Sequence, residues 1–245
     1  MTLITQPRTV TDRDLTLGQF VAERGHVRPL QPGQMLFHEG DSSNAVYACV
    51  RGRINVFITA PTGRSVMLGF KVPTQAFGEL SAIDGGRRSA SAVAVGPSTV
   101  AMMTGDAFLE QLDCVPHLSL VVLRELCDHV RRVNARVAAQ SSENTTERVG
   151  HLLIELAAKF RRHNAGDDRK ELPISQDEVA AWVGATREAT ARSLASFRRA
   201  GAVETARNMI TIVDVTSLNA VILGCNHMGG GSSPRSSSAP GMPMK

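Results

Sequence analysis

From Ser175 to Gly201 the chain reads SQDEVAAWVGATREATARSLASFRRAG, and this stretch decides the architecture of its C-terminal part. Ser175 followed by Glu178 is a capping box that opens a helix. Val179, Ala180 and Val183 recur at helical spacing, and Gly184 supplies a tight turn. Thr186 caps a second helix that runs to Gly201. A helix, a short glycine turn and a polar-faced second helix predict a helix-turn-helix. The second helix of such a motif can enter a DNA major groove.

The charges of that second helix fit the same reading. Arg187, Glu188 and Arg192 occupy its first two turns, where a recognition helix meets base edges. Arg187 and Arg192 stand about 140° apart around the axis and flank one exposed edge. An arginine fork suits the two major-groove acceptors of guanine, and a glutamate can accept from the cytosine amino group. Leu194 and Phe197 are expected to bury the opposite face. Between Thr186 and Ala200, four arginines (Arg187, Arg192, Arg198 and Arg199) oppose only Glu188. The competing reading is a solvated amphipathic helix with no partner.

Outward from this motif, the 245 residues suffice for one or two domains, each with its own core. The formal net charge of +4 permits an anionic partner without demanding one. The first 30 residues show no signal sequence, and no apolar run approaches a membrane span, so a cytoplasmic protein is expected. Cys49, Cys114, Cys127 and Cys225 are scattered, which argues against a zinc site, an iron–sulfur site or a disulfide framework. Cys49 and Cys127 lie in apolar patterns and are expected in the core.

Four regions precede or follow the motif. Residues 1–16 are polar and expected to be loose. From Leu17 to Ala107, short β-rich segments alternate with glycines: Met35–Phe37, Ala45–Val50, Ile54–Ile58, Val66–Phe70, Ser91–Val95 and Val100–Met103. That rhythm predicts an antiparallel barrel or sandwich. From His117 to Gln140 the period changes. Leu123, Leu126, Val130, Val133 and Val137 form a narrow apolar stripe at alternating spacings of three and four, as in a two-stranded coiled coil. The alternative is one face of a helix lying on its own domain. Gln140–Thr145 reads as a hinge, Glu147–Arg161 as a helix and Ala165–Glu171 as a charged loop. Val203–Thr205 and Met209–Val213 predict a hairpin behind the recognition helix. The tail from Asn226 to Lys245 is rich in Gly, Ser and Pro and is expected to be disordered.

One further motif carries chemistry. Phe77-Gly78-Glu79-Leu80-Ser81 is followed by Arg88-Ser89-Ala90. Gly78 allows close backbone approach, Arg88 offers a charge-assisted fork, and Ser89 adds a donor. Glu79 can accept a ribose hydroxyl. Such a set suits a sugar phosphate and contains no nucleophile paired with a general base. The bland reading is a β-turn with a surface arginine.

In this order, these features resemble the catabolite activator/fumarate–nitrate regulator (CRP/FNR) family of bacterial transcription factors over residues 17–215. The resemblance implies an α+β chain. Its parts are an N-terminal cyclic-nucleotide-binding β-roll (17–115), a dimerisation helix (116–140) and a winged helix-turn-helix domain (141–225). It implies a cyclic purine nucleotide, cAMP or cGMP, as effector, with Gly78, Glu79, Leu80, Arg88 and Ser89 in the phosphate–ribose cassette. It also implies a homodimer on palindromic promoter DNA with a half-site like TGTGA. Thr186, Arg187, Glu188 and Arg192 would lie at that DNA, with RNA polymerase as a partner and no catalytic activity.

Three departures follow from the same comparison. Where nucleotide-binding members carry a Thr and a Ser against the purine, counting from Arg131-Arg132 gives Arg136 and Val137. The segment from that arginine pair to the DNA-binding domain is about three residues shorter. The cysteine cluster of the iron–sulfur members is absent. If Arg136 faces the base, guanine is favoured over adenine, because adenine presents a donor where guanine presents O6. Otherwise Arg136 is a solvated flank of the coiled coil. A regulator with no nucleotide, or with haem or a cyclic dinucleotide, stays open; His26, His38, His117 and His129 are available to haem. A phosphate-handling enzyme at Gly78–Ser89 is the remote alternative, and no metal is expected.

Overall fold

The computed structural model describes residues 15–161 and 170–228. The chain forms two compact units, Met1–Ser142 and Glu143–Lys245. Nearly all of the expected loose N-terminus and tail lies outside the described residues. Two parts of them do not: Leu15 is buried, and residues 226–228 continue a helix.

The first unit starts with helix α1 (Leu17–Arg24), which the strand-rich expectation for this region missed. Thr16 and Gln19 cap it reciprocally: the Gln19 N–H donates to Thr16 Oγ1 at 3.2 Å, and the Thr16 N–H donates to Gln19 Oε1 at 2.9 Å. Strands β1 (His26–Leu30), β2 (Met35–Phe37), β3 (Ala45–Arg51), β4 (Ile54–Thr59), β5 (Ser65–Lys71) and β6 (Ala76–Phe77) follow. Then come α2 (Glu79–Asp84), β7 (Ser91–Ala94), β8 (Ser98–Thr104), α3 (Gly105–Cys114) and α4 (Pro116–Ser142). The strands pair antiparallel in two four-stranded sheets, ordered β1-β8-β3-β6 and β2-β7-β4-β5. The expected β-sandwich is therefore present, with β1 and β6 added to the six strands that the sequence indicated.

Strand β3 explains why this unit has two apolar clusters. A strand turns successive side chains to opposite faces, and β3 is buried on both from Ala45 to Cys49. Val46 and Ala48 join Leu17, Phe20, Val21, Phe108, Leu118 and Val122 beneath the helices. Tyr47 and Cys49 join Phe37, Ile54, Phe77 and Val100 between the sheets. Cys49 is fully buried, and desolvation pushes its thiol up to about 12. Cys127, expected in the core, is instead exposed on α4. Its apolar neighbours belong to an outward face.

The second unit begins with α5 (Thr145–Arg161), so only Glu143 and Asn144 of the expected hinge lie outside helices. Asn144 Oδ1 accepts from the Thr146 and Glu147 N–H groups, while Glu147 Oε2 accepts from the Asn144 N–H at 3.0 Å. Strand β9 (Lys170–Leu172) begins in the last two residues of the expected charged loop. It pairs with the hairpin β10 (Val203–Ala206) and β11 (Met209–Ile212), giving a sheet ordered β10-β11-β9. Between them lie α6 (Gln176–Val183) and α7 (Arg187–Arg199), and α8 (Val215–Met228) closes the unit. Val149, Leu153, Leu156, Leu194, Phe197 and Leu218 are completely buried. No helix of the described residues is long and apolar enough to cross a membrane.

Phe197 joins α7 to α5 and is 0% exposed. Truncating it to alanine is expected to cost about 3–5 kcal/mol through lost burial and an unfilled cavity. The single tryptophan, Trp182, lies in the same unit. Urea unfolding followed by its fluorescence therefore reads this loss directly.

Candidate functional site

The first site is built around Arg88. Its backbone is fixed by pairing with the 38–43 loop: the Gly40 N–H donates to Arg88 O at 2.8 Å, and the Arg88 N–H donates to Asp41 O at 2.9 Å. The side chain turns inward and is only 3% exposed, so it is not a surface arginine on a turn. Nη1 donates to Gly78 O at 2.7 Å and to Ser81 Oγ at 2.8 Å. Nη2 donates to Ser43 Oγ at 2.7 Å and to Ala45 O at 2.8 Å. The guanidinium lies 4.3 Å from the Phe37 ring centroid and 5.5 Å from that of Tyr47, within a triad completed by Phe77.

Every one of those four acceptors is neutral. Nε is buried and has no hydrogen-bond partner among the described residues. Burial lowers the proton affinity of the guanidinium, opposed by Tyr47 and, more weakly, by Glu79 and Asp41. An arginine stays charged in any protein site. The result is a buried cation, solvated by neutral dipoles and aromatic faces, with one donor to spare. An anion is what such a group takes most strongly.

Gly78 makes this arrangement possible. It caps α2 with φ +79°, and a Cβ there would come within 2.6 Å of Arg88 Nη1. Around it, Glu79 is half-buried, Leu80 is 37% exposed and Ser89 is exposed. The sequence indicated Gly78, Glu79, Leu80, Arg88 and Ser89 but not Ser43, Ala45 or the aromatic triad. Ser81, one turn beyond Gly78, was the local signal available; Ser43 reaches Arg88 only through the sheet.

Helix α4 meets the start of α1 and strand β5 through its own polar side chains. Leu118, Val122 and Leu126 pack on the core, so Leu126 leaves the expected exposed stripe. One edge of the helix carries Glu125, His129, Arg132 and Arg136 at spacings of four, three and four. Glu125 Oε1 accepts from the Leu17 N–H at 3.3 Å, and desolvation raises its proton affinity. Arg136 Nη1 donates to Leu68 O of β5 at 2.5 Å and is half-buried. It is therefore not a solvated flank. The outward face holds Leu120, Leu123, Val130, Val133 and Val137, all between 43% and 59% exposed.

The second site is the helix-turn-helix. The Glu178 N–H donates to Ser175 Oγ at 3.2 Å and Glu178 Oε2 accepts from the Ser175 N–H at 2.9 Å, which completes the capping box. Gly184 adopts φ +67° at the turn, and Thr186 Oγ1 accepts from the Ala189 N–H. Arg187, Glu188 and Arg192 are all exposed on α7, opposite the buried Leu194 and Phe197. Bonds from its own backbone N–H and from the Thr186 hydroxyl hold the Glu188 carboxyl below the usual range, with Arg192 and Arg187 adding to the effect. It is thus an ionised acceptor. Arg187 Nε lies 3.2 Å from Asp177 Oδ1 of α6, an exposed pair that the sequence reading missed. Such pairs contribute about 0–1 kcal/mol and yield readily to another anion. Arg198 Nη1 donates to Thr205 Oγ1 at 3.0 Å, tying the recognition helix to the hairpin.

Among the described residues no cluster of three or more His, Cys, Asp or Glu could hold a metal ion. His26, His38 and His129 are exposed.

Comparisons with known proteins agree in both halves. Residues 27–113 match the model of the cyclic nucleotide-binding domain, and residues 147–221 match that of the Crp-like helix-turn-helix domain. The CRP-like cAMP-activated global transcriptional regulator of Mycobacterium tuberculosis is 31% identical over 192 residues, 76% of this chain and 86% of the relative. The structure of FixK2 from Bradyrhizobium japonicum superposes with a TM-score of 0.70 at 18% identity, over 80% of this chain and 96% of that one. The c-di-GMP responsive global regulator CLP of Xanthomonas campestris gives 0.68 at 17% identity, over 80% and 96%. At these identities the two structures bear on the fold alone.

Replacing Gly78 by alanine forces an L residue into the left-handed region and drives its Cβ at Arg88. Gly85 has φ +68° with open space around it and serves as the control. Gly85→Ala is expected to cost about 1–2 kcal/mol from backbone strain alone. Gly78→Ala is expected to cost about 1 kcal/mol more by disturbing an Arg88 hydrogen bond. Thermal unfolding followed by circular dichroism compares them.

Proposed function

The chain belongs to the CRP/FNR family of bacterial transcription regulators, and from that premise we propose that it is a homodimeric, effector-controlled regulator of palindromic promoter DNA in the cytoplasm. The effector is a cyclic purine mononucleotide. The single observation that carries this reading is the buried Arg88 guanidinium, which among the described residues has no partner at Nε and no ion pair. The ligand's phosphate answers that charge, Ser89 adds a donor, and Glu79 and Leu80 border the ribose. The cAMP-activated mycobacterial relative supports the same ligand class. The Gly78–Ser89 segment lacks a nucleophile with a base, so no catalytic role is proposed.

The dimer forms along the outward face of α4, within residues 116–140. Leu120, Leu123, Cys127, Val130, Asn134 and Val137 follow alternating spacings of three and four and are exposed. In a parallel, in-register pair the same residues face one another. A polar Asn134 in the seam favours two strands and one register over alternatives. Each protomer then presents Thr186, Arg187, Glu188 and Arg192 to one half-site resembling TGTGA, and the β10–β11 hairpin adjoins the phosphate backbone. RNA polymerase is the partner that a promoter-bound regulator of this family serves.

Control requires that the ligand bind the DNA-competent arrangement more tightly than the other. The α4 edge that borders the cleft and the α4 face that meets the second copy belong to one rigid helix, so a change at one is felt at the other. Fluorescence anisotropy on a palindromic duplex, with and without cyclic nucleotide, tests this. The ligand is expected to alter DNA affinity of the parent chain. Arg88→Gln is expected to weaken ligand binding by about 10- to 100-fold, the loss of one charge-assisted set of bonds, and to leave ligand-free DNA affinity unchanged. A ligand response that survives in Arg88→Gln would exclude this phosphate site.

The seam has its own check. Mild oxidation is expected to join two protomers through Cys127. Cys127→Ser abolishes the covalent dimer on a non-reducing gel, and Cys114→Ser retains it.

A further inference from the structure

The cleft edge of α4 differs in chemistry from the phosphate end of the site. Arg136 reaches β5 and donates to Leu68 O. His129, two turns earlier on the same edge, titrates below the ordinary imidazole value. Desolvation is the main cause, Arg132 and Lys71 act in the same sense, Glu79 opposes them, and Arg136 adds to the lowering. One imidazole therefore feels both Glu79 and Arg136. Seven residues beyond His129, Arg136 lies on the same helix edge, and its bond to Leu68 O seats that edge against β5.

A ligand that places its phosphate on Arg88 and its sugar by Glu79 directs its base toward α4 and β5. We infer that the base is guanine and that the effector is cGMP. This rests on the cyclic-nucleotide reading above and sharpens it. A guanidinium carries five N–H donors and no acceptor, so whichever part of Arg136 meets the base, it offers donors. Guanine presents two adjacent acceptors, O6 and N7, that take a fork from one side. Adenine presents N7 beside an amino group, and that amino group opposes donor with donor. Arg136 thus makes two hydrogen bonds to guanine, against one bond and one repulsion to adenine. Val137, the neighbouring position, is 59% exposed on the outward face. It supplies no acceptor to the adenine amino group that would redress the balance.

The anchor at Leu68 matters as much as the charge. An arginine on an exposed helix edge samples many rotamers and loses that freedom on binding. Arg136 already has one N–H tied to the sheet, so its fork is oriented before the base arrives.

Calorimetric titration of the purified full-length dimer with cAMP and cGMP tests the inference. A bidentate arginine–guanine pair discriminates by about 5- to 150-fold, so cGMP is expected to bind tighter than cAMP within that range. Arg136→Thr is expected to bring the two nucleotides to within about threefold, chiefly by weakening cGMP. Arg136→Lys keeps the positive charge and loses the planar fork. It is expected to lose the preference too, and it stands in if the threonine variant does not fold. Equal or tighter binding of cAMP by the parent chain overturns the guanine assignment and leaves the nucleotide reading standing. So does a preference unchanged in both Arg136 variants. Failure of both nucleotides to bind the parent chain overturns the nucleotide reading itself, and the guanine assignment with it.

Discussion

A guanidinium buried in an apolar sandwich, with no counter-ion among the described residues, is the constraint around which the first unit is arranged. Removing a charge from water costs several kcal/mol unless other groups solvate it. Here the backbone carbonyls of Gly78 and Ala45, the hydroxyls of Ser43 and Ser81, and the Phe37 and Tyr47 rings share that task. Those six groups come from four pieces of the chain, so Arg88 fixes the relative positions of the 38–43 loop, β2, β3 and the β6–α2 turn. Neutral groups solvate the charge without cancelling it. That residual charge attracts anions, and the approach of Arg88 Nη1 to within 2.6 Å of where a Cβ would stand explains the glycine at 78.

Helix α4 presents three chemically different faces. Its inner face, Leu118, Val122 and Leu126, is spent on the core. Its cleft edge carries Glu125, His129, Arg132 and Arg136, and its outer face carries an exposed apolar seam. A helix so divided has no face that is indifferent to its neighbours. In the proposed mechanism, a ligand held by Arg88 and Arg136 acts on the edge, and the proposed dimer face responds. In the proposed dimer, that answer sets the spacing of two recognition helices, which a palindrome reads as one distance.

Much of this was legible in the residues, and the omissions have physical causes. The helix-turn-helix was plain because its signals are local: Ser175 with Glu178, Gly184, Thr186, and arginines opposite Leu194 and Phe197. The strands from Met35 to Met103 were plain because glycines punctuate them. Helix α1 was overlooked although Thr16 and Gln19 form a capping box, because eight residues with few periodic apolar positions do not declare a helix. Strand β9 is three residues, two of them charged, and exists only through its pairing with β11. Cys127 and Leu126 were read the wrong way round, since an apolar stripe does not say which side faces its own domain. Gly78, Glu79 and Arg88 were visible as a motif. The inward turn of Arg88 was not, because its partners Ser43 and Ala45 lie more than 40 residues away. Arg136 could be counted to its position, but only the bond to Leu68 distinguishes a residue packed on β5 from a solvated one.

The central claim is that an anion at Arg88 is felt along α4. Hydrogen–deuterium exchange of the full-length dimer, with and without saturating cGMP, tests it most directly. The account predicts slower exchange in two separate places: residues 76–88 around the arginine, and α4 from about Glu125 to Val137. Protection confined to the first segment, with α4 unchanged, would contradict it.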